Sequence, residues 1–363
     1  MPSVEFRVET RFLRGTSTAF KAVADAYPQA STFLAHIRVE GDGRLHADIA
    51  EGVDRVRTQL GAVYGASGPF PRWYAGAQAA LWEIAVDYDG VDERTAAELD
   101  AKMPETANDR SSYGLSPDGE DPGVTVPELT GILVAPSDGS FEGYGEWRKV
   151  VDTVQLIASL AWVVKGVDVL IKMLGGPSSV LENVNDNISD ILSMRWESLE
   201  KCAKTVQVLS AFSDRIQDET AASVLDLRDH WSGNAATACF VNVGRLDDEL
   251  GRHEGELQQL YGALHSFALG MQYCTDFLAD VLDLMGGSIA ELTEEAAEAA
   301  VKGAGQGLLA KLLWWVEIVV LAIDALFALV GAFCVAFAST YDYDVPVPQV
   351  TAYVPPDVDG PGR

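Results

Sequence analysis

Apolar residues recur at alternating steps of four and three along the second half of the chain, at Cys239, Val243, Leu246, Leu250, Leu257, Leu260, Leu264, Phe267, Met271, Cys274, Leu278, Val281 and Met285. His253 is the polar exception in the series. A repeat sustained over about seven heptads predicts a long coiled-coil-like helix, not a strand. The preceding segment carries Leu181, Val184, Ile188, Ile191, Leu199, Cys202, Val206, Leu209, Phe212 and Ile216 on or near one face, with Arg195 breaking the run. The two arms, from Ser178 to Met285, meet at Trp231-Ser232-Gly233. Gly233 can take a positive φ there, Ser232 or Asn234 can cap the second arm, and the Trp231 ring can pack across the tip. Arms of about 50 residues would each reach roughly 75 Å, and facing residues would have numbers adding to about 464. Such a hairpin leaves part of its seam uncovered, so a further helix must pack on it. His253 reads as a register-setting polar residue in that seam.

Elsewhere the pattern predicts shorter elements. Residues 4–9 alternate Val, Glu, Phe, Arg, Val, Glu, which fits a short strand or the start of a helix. Thr16–Tyr27 reads as a helix stopped by Pro28, and Gly41-Asp42-Gly43 as a turn. Leu45–Leu60 and Trp73–Met103 read as helices around the breaker Gly65–Pro71. Residues 104–146 contain Pro104, Pro117, Pro122, Pro127 and Pro136 among Gly, Asp and Ser, with an apolar island at Ile132–Val134, and read as a linker. Trp147–Leu174 reads as an amphipathic or buried helix leading into the hairpin. Gly286-Gly287 should end the second arm, and Ser288 with Glu291 forms a capping-box pattern for an acidic helix to Lys302. Leu308–Ala338 is the most apolar segment and contains Lys311, Glu317 and Asp324. Its two carboxylates would cost about 2–3 kcal/mol each in lipid. Two alternatives follow: a helix buried against the bundle or in an oligomer, and a bilayer-inserting segment in which Trp314, Trp315, Glu317 and Asp324 carry the association.

These readings add up to an all-α chain. It has a helical module at 1–103, a linker at 104–146, a long helical hairpin at 147–302, a hydrophobic helix at 303–340 and a disordered tail at 341–363. A length of 363 residues suffices for a substantial core.

Charge and candidate chemistry narrow the function. With 54 acidic against 26 basic residues and a net charge of −28, the chain lacks the clustered cations that phosphate contacts need, so nucleic acid is excluded as a partner. The same charge opposes electrostatic docking on anionic lipid. The four cysteines, Cys202, Cys239, Cys274 and Cys334, are not opposed within the hairpin and read as free thiols acting as small hydrophobes. The first residues, MPSVEFRVETRF, have no basic stretch followed by an apolar run, so any export would use a signal built into the fold. There is no Gly-Lys-Ser/Thr phosphate loop, no H-E-x-x-H and no paired C-x-x-C. His46 with Asp48 and Glu51 reads as a solvated helix face, and Gly303-Ala-Gly-Gln-Gly307 lacks the preceding strand of a nucleotide fingerprint. The expectation is a protein without catalysis and without a cofactor.

A W-x-G turn at the midpoint of two long apolar-periodic arms resembles the WXG superfamily of type VII secretion substrates and their longer PE/PPE-like relatives. In that family a Tyr-x-x-x-Asp/Glu on a neighbouring helix completes the export signal. Tyr88-Asp-Gly-Val-Asp92 fits that second pattern in a predicted helical segment, and Tyr353-Val-Pro-Pro-Asp357 fits it in the proline-rich tail, where no helix forms. Tyr273 stands at a family-like distance after the turn, but Phe277 occupies the place of the acid. The resemblance covers residues 45–103 and 178–285 and is similar to fused PE/PPE-like secreted proteins, in which each hairpin holds half of the signal. It implies a composite signal of Trp231, Gly233, Tyr88 and Asp92. The implied partners are the type VII secretion machinery, a WXG-like partner or a second copy of the chain, and a possible membrane. A helical scaffold that uses the hairpin for homo-oligomerisation is the rival expectation, and a WXG-delivered toxin a more distant one.

Overall fold

The structure, a computed structural model, describes residues 7–42, 44–89, 126–136, 194–302 and 305–340. Its helices are α1 (Thr10–Phe33), α2 (Arg44–Tyr64), α3 (Pro69–Asp89), α4 (Val126–Thr130), α5 (Trp196–His230), α6 (Asn234–Lys302) and α7 (Gly305–Thr340). Four two-residue strands punctuate them: β1 (Arg7–Val8), β2 (Glu40–Gly41), β3 (Met194–Arg195) and β4 (Trp231–Ser232). The fold is all-α, a bundle of long helices with two minimal strand pairs at its ends.

Among the described residues, α5 and α6 pack along each other from the turn at Trp231-Ser232-Gly233. From Cys239 to Leu264 every seam residue is buried, and Met271 is buried beyond them. Gln217 Nε2 donates to Asp247 Oδ1 at 2.9 Å, and Glu200 pairs with His265 at 2.8 Å. Both pairs obey the register expected of arms folded about Ser232. The arms are unequal: 35 residues in α5 and 69 in α6 correspond to about 52 Å and 104 Å of helix.

Helix α1 covers the hairpin. It runs antiparallel to α5, because its contacts recede along α5 as they advance along α1. Val8 pairs with Trp231, Thr16 Oγ1 donates to the Ser223 carbonyl at 3.2 Å, and Tyr27 meets Phe212 edge-on at 5.8 Å. Helix α3 then runs back along α1, with Ser17 Oγ donating to the Gln78 carbonyl at 2.9 Å and Phe20 against Trp73 and Tyr74. The Tyr74 hydroxyl reaches Thr220 Oγ1 at 2.6 Å. One core therefore runs through the N-terminal helices and the hairpin.

His253 marks the centre of that core. It is 3% exposed, its Nε2 lies 3.0 Å from the Tyr64 hydroxyl, and Tyr64 and Phe70 lie against its ring. The polar residue in the seam thus ties the N-terminal helices to the hairpin; among the described residues its hydrogen bond and ring contacts are with those helices, not across the hairpin where a register-setting role would place them. Burial among aromatic rings lowers its pKa to about 4 and pushes Tyr27, Tyr64 and Tyr74 up.

Several elements differ from the pattern-based expectation. Helix α1 begins before Thr16 and does not stop at Pro28 but runs through it to Phe33. Pro28 sits on the exposed side while Tyr27, Ala30 and Phe33 continue the buried stripe. The large side chains brought into the core after Pro28, Phe33 with Leu34 and Ile37 just beyond it, at about 1.5–3 kcal/mol each, offset a proline penalty of about 3 kcal/mol. Helix α6 continues past Gly286-Gly287 to Lys302. Two glycines cost about 1 kcal/mol each, which a helix backed by α7 sustains. The alternating residues 4–9 yield strand β1, from Arg7 to Val8, and not a helix start. Part of the expected linker is docked: α4 buries Leu129 beside α1, whereas Ile132 and Val134 are exposed. The expected arm before Met194, the segment Trp147–Leu174, the helix beyond Asp89 and the tail all lie outside the described residues.

Helix α7 packs against α2 and α6 through Ile323, Leu326 and Val330. No helix among the described residues is long and apolar enough to cross a membrane. Of the expected association residues, Trp314 is 62% exposed, Glu317 and Asp324 are exposed, and Trp315 turns toward the core.

Candidate functional site

The hairpin tip is built by three segments distant in sequence. At the end of α5 the chain turns extended at Trp231, with φ −138° and ψ 124°. Gly233 then takes φ 129°, a conformation that L side chains rarely adopt. Its carbonyl accepts from the Thr237 N–H at 3.1 Å and so begins α6. Gly233→Ala is expected to lower stability by about 1–3 kcal/mol, read as a lower urea midpoint at unchanged slope.

Strand β1 closes the tip. Arg7 pairs with Ser232 and Val8 with Trp231, and the Glu9 N–H donates to the His230 carbonyl at 3.0 Å. Phe12 stacks on the His230 ring at 3.6 Å between centroids. His230 Nδ1 lies 2.9 Å from the Asp226 carbonyl, which fixes the ring as the stacking platform. The hydrogen bonds that an extended Trp231-Ser232 would otherwise offer to water are taken by the segment before α1.

Trp231 is 1% exposed and packs edge-on against Phe240 at 6.1 Å. Its indole Nε1 is buried and without a hydrogen-bond partner among the described residues. A narrow apolar crevice lies beside it, lined by Trp73, Ala77, Leu81 and Ile84 of α3 and by Trp231, Cys239 and Asn242. Burial pushes the Cys239 thiol up to about 12 and Cys202 likewise to about 12, so both are protonated, poorly nucleophilic thiols. Cys274, also free, is half-buried and shifted upward by the same cause.

The last turn of α3 belongs to the same end of the bundle. Ile84, one turn before Tyr88, lines the crevice with Trp231. Asp89 accepts from Thr10 Oγ1 at 2.5 Å and pairs with Arg14, and Thr10 follows the strand that pairs with the tip. Tyr88 is half-buried against the core. Of the four candidate signal residues, Trp231, Gly233 and Tyr88 therefore converge on one end of the molecule, while Asp92 lies outside the described residues. Sequence reasoning missed the pairing of Arg7-Val8 with Trp231-Ser232 and the stacking of Phe12 on His230. The alternation of residues 4–9 was the available signal.

Chemically the tip offers shape and a hydrophobic anchor. Among the described residues no group of three His, Cys, Asp or Glu side chains is placed to hold a metal ion. Tyr273 and Phe277 are exposed on α6, at 56% and 51%. Comparison with protein-family models, with curated proteins and with solved structures finds no match to this chain.

Proposed function

We propose that the chain is a non-enzymatic substrate of a type VII secretion system, with a composite export signal made of Trp231 and Gly233 at the hairpin turn and of Tyr88 and Asp92 at and beyond the end of α3. The observation that carries this reading is that Ile84, one turn from Tyr88, shares a crevice with Trp231. Trp231, Gly233 and Tyr88 stand at one end of the bundle, which supports recognition of that end by a single receptor surface. In this reading the N-terminal helices serve the hairpin as an intramolecular partner, and the tip is recognised as a folded object. Its partners are the secretion machinery and no nucleic acid, and its destination is outside the cell or on its surface.

The experiment compares culture filtrate with cell pellet in a host carrying the secretion system. Tyr88→Ala and Asp92→Ala chains, each verified as folded by circular dichroism, are expected to stay in the pellet to the extent seen in a strain without the secretion ATPase. Undiminished export of either folded variant removes the corresponding residue from the signal, and export of both removes the reading.

A second reading is a helical scaffold in which the turn is only a turn. The exposed apolar residues Trp314, Ile318 and Leu321 of α7 favour it. It predicts that the unsubstituted chain is retained in the same host.

A further inference from the structure

Helix α7 has two apolar faces. Ile323, Leu326 and Val330 are buried against the bundle, with Trp315, Val320 and Phe327 half-buried beside them. On the opposite side Trp314, Ile318, Leu321, Ala325, Ala328 and Ala332 are all exposed, Trp314 and Leu321 at 62% and Ile318 at 46%. Their steps are four, three, four, three and four residues. Two positions per heptad is the spacing of a helix–helix seam. Glu317 and Asp324 flank it, both exposed, and carboxylates there oppose burial in lipid.

The stripe is graded in size: its three large residues come first and its three alanines follow. Parallel pairing of two such helices would set Trp314 on Trp314 and alanine on alanine, splaying one end and hollowing the other. Antiparallel pairing about a two-fold axis at the level of Ile323 sets Trp314 against Ala332 of a second copy, Ile318 against Ala328 and Leu321 against Ala325. Each large side chain then meets a small one, the arrangement by which facing layers interdigitate without voids. Such a surface is complementary to itself, and a two-fold contact uses the same patch on both copies and closes at two.

From this self-complementarity we propose that the exposed face of α7 is a homodimer interface, in which two copies of the chain pair α7 antiparallel about a two-fold axis. The same geometry brings the two Asp324 side chains near each other across the axis, so the dimer carries a like-charge contact at its centre. The proposal is independent of the export reading, because it uses no residue of the tip.

Sedimentation velocity of the full chain over about a hundredfold concentration range is expected to show a monomer–dimer equilibrium. Leu321→Glu, at a position exposed in the monomer, is expected to abolish the dimer with unchanged circular dichroism. Asp324→Asn is expected to tighten it about two- to fivefold by removing the repulsion at the axis. Mixing Leu321→Cys chains with Ala325→Cys chains under mild oxidation should give a covalent dimer that neither variant alone gives in comparable yield. A chain that stays monomeric throughout overturns the proposal. A dimer indifferent to Leu321→Glu overturns it equally, as does preferential linking of Leu321→Cys chains to one another. The same holds for a monomer whose Leu321→Glu variant loses only binding to phosphatidylcholine vesicles.

Discussion

Trp231→Ala is expected to destabilise the protein by about 3–5 kcal/mol, the cost of removing a large buried aromatic ring whose site collapses incompletely. The ring is 1% exposed and wedged between Phe240 and the α3 side of the crevice. Such a loss is a large part of the 5–15 kcal/mol that holds a typical domain folded. Chemical denaturation followed by circular dichroism measures it, and a loss below 1 kcal/mol would show that the tip does not depend on the ring. The size of the effect matters for the export question. An alanine at 231 that fails to leave the cell could have lost the signal or the fold, and the two are indistinguishable in a filtrate. Trp231→Phe separates them. It keeps an aromatic wedge and deletes an indole N–H that has no partner among the described residues, so no hydrogen bond within them is lost with it. If Trp231→Phe folds and is not exported, export depends on the shape that the buried indole gives the tip.

Acidification is expected to cost stability through His253. Its folded pKa of about 4 lies below the ordinary value of 6.5 because burial disfavours the imidazolium. The unfolded chain therefore binds the extra proton first, and stability falls as pH drops below about 6.5. The loss from this residue amounts to about 2 kcal/mol by pH 5 and about 3 kcal/mol by pH 4. Several hairpin carboxylates act in the opposite sense. Asp218, Glu219, Asp247 and Glu254 are raised by burial first, with neighbouring acids such as Asp214 and Asp248 adding to it. Their penalty is relieved as they protonate on the way down. The contribution of His253 is isolated by comparing the protein with His253→Gln, which can still bond the Tyr64 hydroxyl and does not titrate. Urea unfolding at pH 7 and pH 5 is expected to show a loss smaller by about 2 kcal/mol in the variant. Equal losses would mean that His253 is not held neutral by the core.

Helical periodicity made the hairpin legible, because a four-three repeat has one geometric meaning over that length. The register of the arms was legible for the same reason, since a turn at Ser232 dictates that Gln217 faces Asp247. The partner of His253 was not. Tyr64 lies in a different helix, and no local pattern states which aromatic side chain a seam histidine will meet. Helix boundaries failed at Pro28 and at Gly286-Gly287, where a local penalty of one to three kcal/mol is decided by packing that the local sequence does not contain. At the tip the tripeptide was visible and its lid was not. The alternation of residues 4–9 allows a strand but names no partner for it, and the pairing of Arg7-Val8 with Trp231-Ser232 is a contact across more than 200 residues. The proximity of Tyr88 to that end follows from α3 running back along α1, a matter of topology that spacing alone does not specify.

The pairing of β1 with β4 also sets an order of events during synthesis. Arg7 and Val8 leave the ribosome long before Trp231 and Ser232, and at ordinary elongation rates the interval is roughly 10–50 s. Through that interval the nascent N-terminal helices have no hairpin to cover, and Tyr27 and Tyr74 lack their contacts with Phe212 and Thr220. A contact so far apart in sequence also makes closure of the tip slow relative to the collapse of α5 on α6. The hairpin is thus expected to exist for a time with its Trp231 turn open, in a form that a chaperone can distinguish from the finished protein.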